Sequence, residues 1–314
     1  MFADDARMRA YEEALRRVVT PRSTVLDIGA GTGMFSFIAC RLGAARVWGI
    51  EPSEAIQVAR DIAAANGFGD RIRFFHGESA RVELPGRADV IVSDLRGALP
   101  LLPYNIPSII DARRRFLTPG GVLIGKRDTL WAAPVEAPGH HARFIGPWES
   151  RPFGLDLGAG LKMVTNSGHP GTSAAGPIRP LADSQCWGTI DYPAVETPDM
   201  KGEFEVAARV RGTAHGILLW FDAELADGIT LSNAPGKPEL VWGRNLLPLS
   251  SPVEVEAGDV FCVTLEARLV GGEYVFGWNT RVTSPDGSPK ASFRQSTFHG
   301  KAITLETLRR AAEK

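Results

Sequence analysis

The chain is poor in the residues that would mark several common functions. Its 314 residues include only three cysteines, Cys40, Cys186 and Cys262, with no C-x-x-C pair. That argues against a disulfide framework or a thiolate metal motif, and favours reduced, buried thiols in a cytoplasmic protein. Six histidines (His76, His140, His141, His169, His215, His299) show no H-E-x-x-H or similar ligand spacing, so no metal site is expected. The net charge is −1 and no long basic run occurs, so no nucleic-acid partner is expected. No apolar run approaches the roughly 20 residues of a membrane helix, so no membrane partner is expected either. The opening MFADDARMRAYEE is charged from its fourth residue and has no apolar signal core. Internal repeats and low-complexity tracts are also lacking. What is present, 44% hydrophobic and 23% charged residues, suits a globular chain with a core, in one large domain or two ordinary ones.

The first 126 residues alternate in period. Residues 4–19 read as an amphipathic helix with Asp4 or Asp5 at its cap. STVLDIGAG is a strand and turn, MFSFIACRLG helix, ARVWGIE strand, SEAIQVARDIAAANG helix, and IRFFHG and ADVIVSD strands. IPSIIDARRRFL and GVLIG follow as helix and strand. Such alternation predicts a doubly wound parallel sheet, α/β in class. After about residue 126 the helical period disappears. Residues 137–182, rich in Gly, Pro and His, predict an extended arm or long loops. From 184 onward, strand follows strand, with PGKP and PDGSP as turns, which predicts an antiparallel β-barrel-like domain. AITLETLRRAAEK at the end suggests a short closing helix. The expected division is 1–126 and 127–314.

VLDIGAGTG places Gly29, Gly31 and Gly33 at the carboxyl end of the first strand. Glycines there let backbone N–H groups approach a ligand, and the next helix aims its positive end at the same place. NAD, FAD and SAM proteins all use such a turn. The spacing is G-x-G-x-G, not the G-x-G-x-x-G of dinucleotide binders. Asp27, two residues before Gly29, is positioned to face a cationic amino-acid group. Glu51 ends the second strand, where a carboxylate can accept two hydrogen bonds from a ribose diol. Glu78 and Ser79 end the third strand and are candidates for an adenine edge.

DIGAGTGMFSFIACRLGAARVWGIEPS resembles the SAM site of protein arginine methyltransferases. MFADDARMRAY resembles that family's first-helix pattern through Met1, Asp4, Arg7 and Tyr11. RVELPGRADVIVSD is similar to the approach to its active-site loop, and WESRPFGLDL to the start of its dimerisation arm. KPELVWGRN is similar to the segment that carries a Thr-His-Trp triplet there. The resemblance spans nearly the whole chain. It implies S-adenosyl-L-methionine (SAM) as cofactor, with Arg7 on the SAM carboxylate and the three glycines around its methionine portion. It implies Glu51 on the ribose, a cleft for a peptide or protein acceptor, and a homodimer. The helix that precedes the first-helix pattern in the family has no counterpart ahead of Met1, so the expectation is that something else covers the site or that the cofactor is more exposed.

The resemblance breaks at the acceptor loop, SDLRGALPLLPYNIPS. The family's loop begins Ser-Glu-Trp-Met-Gly, with a second glutamate nine residues after the first. Asp94 stands at the first glutamate position, Pro103 at the second and Arg96 at the methionine. Val241 replaces the histidine of the triplet, a histidine that pairs in the family with the aspartate matched by Asp4. One carboxylate beside an added guanidinium should hold an arginine poorly. The expected acceptor is therefore not a standard arginine. Arg96 suggests either a carboxylate guest, held bidentately, or a pairing of its own with Asp94 or a surface acid, while Asp94 orients the acceptor or partly deprotonates it. A small-molecule methyltransferase and a non-catalytic binding module are the alternatives.

Overall fold

The computed structural model describes residues 3–300. Met1 and the expected helix at AITLETLRRAAEK lie outside the described residues. Helix α1 (Asp5–Val18) is capped by Asp4, whose carboxylate accepts the Arg7 N–H at 3.1 Å. Its buried residues Arg7, Tyr11, Ala14 and Leu15 recur at helical spacing. Then β1 (Thr24–Ile28), α2 (Met34–Arg41), β2 (Arg46–Glu51), α3 (Ala55–Ala65), β3 (Ile72–His76), β4 (Ala88–Ser93), α4 (Asn105–Arg115) and β5 (Leu117–Ile124) follow. The strands form one parallel sheet in the order β3-β2-β1-β4-β5. The chain runs outward from β1 to β3 and returns to β4 on the other side of β1. That reversal opens a crevice at the carboxyl ends of β1 and β4, where ligands of open α/β sheets bind.

The antiparallel part begins with β6 (Arg127–Glu136). Three short helices come next, α5 (Pro138–Phe144), α6 (Gly146–Glu149) and α7 (Gly158–Thr165), then β7 (His169–Pro170) and β8 (Arg179–Pro180). The expectation of an extended arm without helix is corrected here. The helices run only four to eight residues, too short to print an amphipathic period on the sequence. β9 (Gln185–Asp191), β10 (Met200–Ala207), β11 (Gly212–Ala226), β12 (Ile229–Ser232), β13 (Asn245–Val255), β14 (Val260–Val270), β15 (Glu273–Thr283) and β16 (Pro289–Ser296) complete the chain.

One sheet runs β7-β13-β11-β6-β8, with β12 also on β11 and β9 also on β6, and a second runs β10-β14-β15-β16. The helical segment leaves directly from β6, and β7 and β8, both after α7, return the chain to the antiparallel sheet. The two halves of the molecule share a core that includes Tyr11, Leu26, Phe221 and Trp278. The link between them is itself hydrogen-bonded: the Gly125 and Lys126 N–H groups donate to the carbonyls of Leu225 and Glu224. All three cysteines are free, but only Cys40 is buried. Cys186 is exposed, on β9 opposite Trp131 of β6. No helix among the described residues is long and apolar enough to cross a membrane.

Trp278 is wholly buried on β15, and its indole N–H donates to the Pro248 carbonyl at 3.1 Å. Trp278→Ala should therefore lower unfolding stability by about 3–5 kcal/mol, read by urea denaturation.

Candidate active site

All three glycines of the first turn have positive φ: Gly29 +70°, Gly31 +54° and Gly33 +88°. Gly29 and Gly33 are also crowded, whereas Gly31 faces open space. A Cβ on Gly29 would lie 2.4 Å from a Leu95 methyl, and one on Gly33 2.8 Å from the Phe37 ring. The turn is held to β2, where the N–H groups of Gly29 and Ala30 both donate to the Ile50 carbonyl. Glu51 braces it further, accepting the Gly31 N–H at 2.9 Å and the Ser53 N–H at 2.8 Å. Glu51, expected on a ribose, thus accepts a backbone N–H on each of its oxygens, and it does not line the cavity around Arg7.

Asp27 does not stand open in the crevice as expected. It is 1% exposed, and its Oδ2 accepts both the N–H and the hydroxyl of Ser36, which anchors the start of α2. Its Oδ1 is buried with no partner among the described residues. Burial lifts its pKa to about 7; the bonds from Ser36 oppose that lift, and the nearby Glu51 and Asp94 charges add to it.

Arg7 is 5% exposed, an unusual position for an arginine on the first turns of a terminal helix. Its Nε–H donates to Asp94 Oδ2, and its guanidinium carbon lies 5.3 Å from the Phe35 ring and 5.7 Å from that of Trp242. Nη1 contacts Met8 Sδ at 3.3 Å, and Nη2 has no protein acceptor among the described residues. Arg7, Asp94, Gly29, Gly31 and Met34 line a cavity of about 270 Å³. Glu78 is exposed and pairs with Arg81 at 3.2 Å, while Ser79 is buried and its carbonyl accepts from Arg115. Neither of these two lines the cavity around Arg7.

Arg96 is the principal correction. Of the two readings, guest carboxylate or a pairing of its own, the structure favours the second: Arg96 is 6% exposed and its main partner is the internal Asp128 rather than Asp94 or a surface acid. Nε donates to Asp128 Oδ2 at 2.9 Å and Nη2 to Asp128 Oδ1 at 2.9 Å, a forked pair. Nη1 donates to the Tyr11 hydroxyl at 2.7 Å. Burial disfavours its charge, yet Asp128 and the two tyrosines Tyr11 and Tyr192 outweigh this, so it stays protonated. All three nitrogens donate within the protein and the side chain is 3% exposed, so the guanidinium is not presented to a guest. Asp94 beside it is also buried. Burial raises its pKa, and Arg7 and Arg96 pull it partly back.

Asp128, Tyr11 and Tyr192 were not singled out as site residues. The available signal was an acid at the head of the otherwise apolar run TLWAAPV, together with an arginine at a methionine position. No carboxylate replaces the one missing at Pro103. Asn105 behind it donates to the Pro100 carbonyl and to Tyr192. The loss at Val241 is milder than expected. Its backbone N–H donates to Asp4 Oδ2 at 2.9 Å, so α1 remains tied to the barrel without the histidine.

A parallel sheet with this glycine turn, an acid at the end of β2 and a cavity closed by Arg7 defines a SAM-dependent methyltransferase. Residues 25–121 match the family model of a methyltransferase domain, and residues 126–269 that of the arginine methyltransferase oligomerization subdomain. Protein arginine N-methyltransferase 6 of Xenopus laevis is 27% identical over 275 residues, covering 82% of this chain and 78% of that protein. The arginine N(omega)-methyltransferase of Streptomyces achromogenes subsp. streptozoticus is 28% identical over 277 residues, covering 84% and 74%. In fold, the chain is similar to the Trypanosoma brucei PRMT1 enzyme–prozyme heterotetrameric complex with AdoHcy (TM-score 0.85, 20% identity, 94% and 96% of the two chains). It is also similar to Arabidopsis thaliana protein arginine methyltransferase 10 (TM-score 0.81, 22% identity, 94% and 95%). The chain belongs to the protein arginine methyltransferase-like family.

The residues present fit SAM. Gly29 and Gly31 leave the cavity wall free of side chains, Arg7 Nη2 has no partner among the described residues, and Glu51 stands at the end of β2. Asp27 makes the apoprotein sensitive to pH. An acid with a raised folded pKa binds more protons folded than unfolded, so its contribution declines as pH rises from about 4 to about 7. Asp27→Asn should flatten that decline. Relative to wild type it should gain up to about 4 kcal/mol between pH 4 and pH 8 in chemical denaturation.

Proposed function

We propose that this methyltransferase acts on a peptide or protein acceptor other than a standard arginine side chain, with Asp94 orienting the acceptor. One observation carries the reading: Asp94 alone supplies a carboxylate in the loop SDLRGALPLLPYNIPS, and it lines the cavity beside Arg7. When bound, SAM supplies a sulfonium methyl group for in-line displacement. Arg7 would offer its unpartnered edge to the cofactor carboxylate, a charge-assisted bond. The turn at Gly29, Gly31 and Gly33 would hold the methionine portion and Glu51 the ribose. Glu78 and Ser79 would meet the adenine edge. Asp94, with its pKa raised by burial, is a better proton acceptor than an exposed carboxylate.

The charges around the loop cancel: Arg7 against Asp94, and Arg96 against Asp128. A balanced pocket favours a neutral acceptor over a guanidinium. A carboxylate guest is disfavoured, because the Arg96 guanidinium is enclosed and already forked onto Asp128. The closed fork also supports positioning, rather than electrostatic capture, as the main source of acceleration.

A small-molecule acceptor is the second reading. The match to a relative named for arginine rather than protein arginine favours it. Assembly as a homodimer is supported by the matched oligomerization subdomain and by exposed Phe153, Leu155 and Met163 in the helical arm. Three free cysteines support a cytoplasmic location.

Calorimetry with SAM and with S-adenosylhomocysteine should show binding of both. Arg7→Met should weaken SAM binding about tenfold or more, the worth of one charged hydrogen bond. Asp94→Asn should keep SAM affinity within about threefold while lowering kcat about a hundredfold. Full turnover in Asp94→Asn, or a methylated arginine as the main product of labelling with SAM in lysate, would overturn the proposal.

A further inference from the structure

We infer that the buried Arg96–Asp128 pair is a positioning unit: it holds Asp94 from behind the cofactor cavity and ties both ends of the acceptor loop to one carboxylate. The inference rests on the reading of Asp94 as the group that meets the acceptor.

The pair is enclosed, with the Arg96 side chain 3% and the Asp128 side chain 0% exposed. Room is made for it by the backbone. Gly125 has φ +90°, and a Cβ there would lie 3.1 Å from Arg96 Nη2. From this enclosed place Arg96 reaches Asp94 by two routes. Its Nη1 lies 3.8 Å from Asp94 Oδ1, an oxygen with no hydrogen-bond partner among the described residues. The same Nη1 donates to the Tyr11 hydroxyl, which donates in turn to the carbonyl of Ser93, the residue just before Asp94.

Asp128 holds the far end of the loop. Its Oδ2 accepts the Tyr192 hydroxyl at 2.6 Å, and Tyr192 accepts from Asn105, whose amide also donates to the Pro100 carbonyl. The loop from Ser93 to Asn105 is thereby fastened to a carboxylate on the first strand of the other domain.

Stability alone gives no reason for such a pair. A buried ion pair roughly breaks even against apolar residues of the same size, and the resembling family has methionine at position 96. What the pair adds is register, together with a charge held close to Asp94. If that is its role, its members act on Asp94 with opposite sign. The groups facing Asp94 are Arg7 and Tyr11 from α1, Asp27 from β1, Arg96 from its own loop and, beyond Arg96, Asp128 from β6.

The test is the titration of Asp94 in the full-length apoprotein, followed by its carboxyl ¹³C shift. Asp128→Asn frees the Arg96 charge to act on Asp94, so the midpoint should fall by about one pH unit. Arg96→Met with Asp128→Asn removes the neighbouring cation, so the midpoint should rise. Tyr192→Phe breaks a bond of the same network without touching a charge and should leave the midpoint in place. If Asp128→Asn does not fold, the neutral double variant and Tyr192→Phe still decide.

Midpoints that stay put, that move the same way in both charge variants, or that move as far in Tyr192→Phe overturn the inference. The acid limb of methyl transfer from labelled SAM to lysate acceptors reports separately on the role of Asp94. If the midpoints part as expected and the acid limb does not follow them, the acceptor role of Asp94 fails while the positioning unit stands.

Discussion

Four buried ionisable side chains in alternating order, Arg7, Asp94, Arg96 and Asp128, are the constraint on which the rest of the site depends. None can leave without stranding a neighbour, because an unpaired charge in a dry interior costs several kcal/mol. The row therefore dictates its surroundings. Aromatic rings of Phe35, Tyr11 and Trp242 pack around Arg7, a glycine makes room beside Arg96, and two tyrosine hydroxyls pair with Arg96 and Asp128. It also unites the two domains. Asp128 begins the antiparallel sheet, Asp94 ends a strand of the parallel one, and Arg96 spans the junction.

The cofactor half of the site is built on more general physics. A strand ending in glycines with positive φ turns sharply into α2, and the acid at the end of β2 braces that turn through the Gly31 N–H. Asp27 supports it from inside by capping α2 through Ser36, at the cost of a buried carboxylate with one unpartnered oxygen. Such a turn belongs to the fold of the parallel sheet, and its chemistry is independent of what happens at the acceptor loop.

Set against the arginine methyltransferases that it resembles, the acceptor loop has been internalised rather than emptied. The family's clamp sets two carboxylates around a guest guanidinium. Here Asp94 and Asp128 are two carboxylates, and Arg96 is a guanidinium between them, but it is the chain's own. The arrangement neutralises the pocket and keeps one carboxylate at the cavity wall.

The parallel sheet was legible because its strands and helices are long enough to show their periods: IQVARDIAAA cannot be read as a strand, nor VLDI as a helix. The glycine turn and Glu51 were legible because they are set by local backbone geometry at strand ends. The helices of the arm were not, being only a turn or two long. Nor was the state of Arg96, which shares no local pattern with Asp128, 32 residues away. By itself the sequence determined the fold class, the cofactor turn and the loss of a carboxylate at Pro103, all properties of short stretches and their order. Only the tertiary structure decided which charge answers Arg96, that Asp27 is enclosed and that Asp94 is not free. Pairing and burial depend on what the fold brings together from distant parts of the chain.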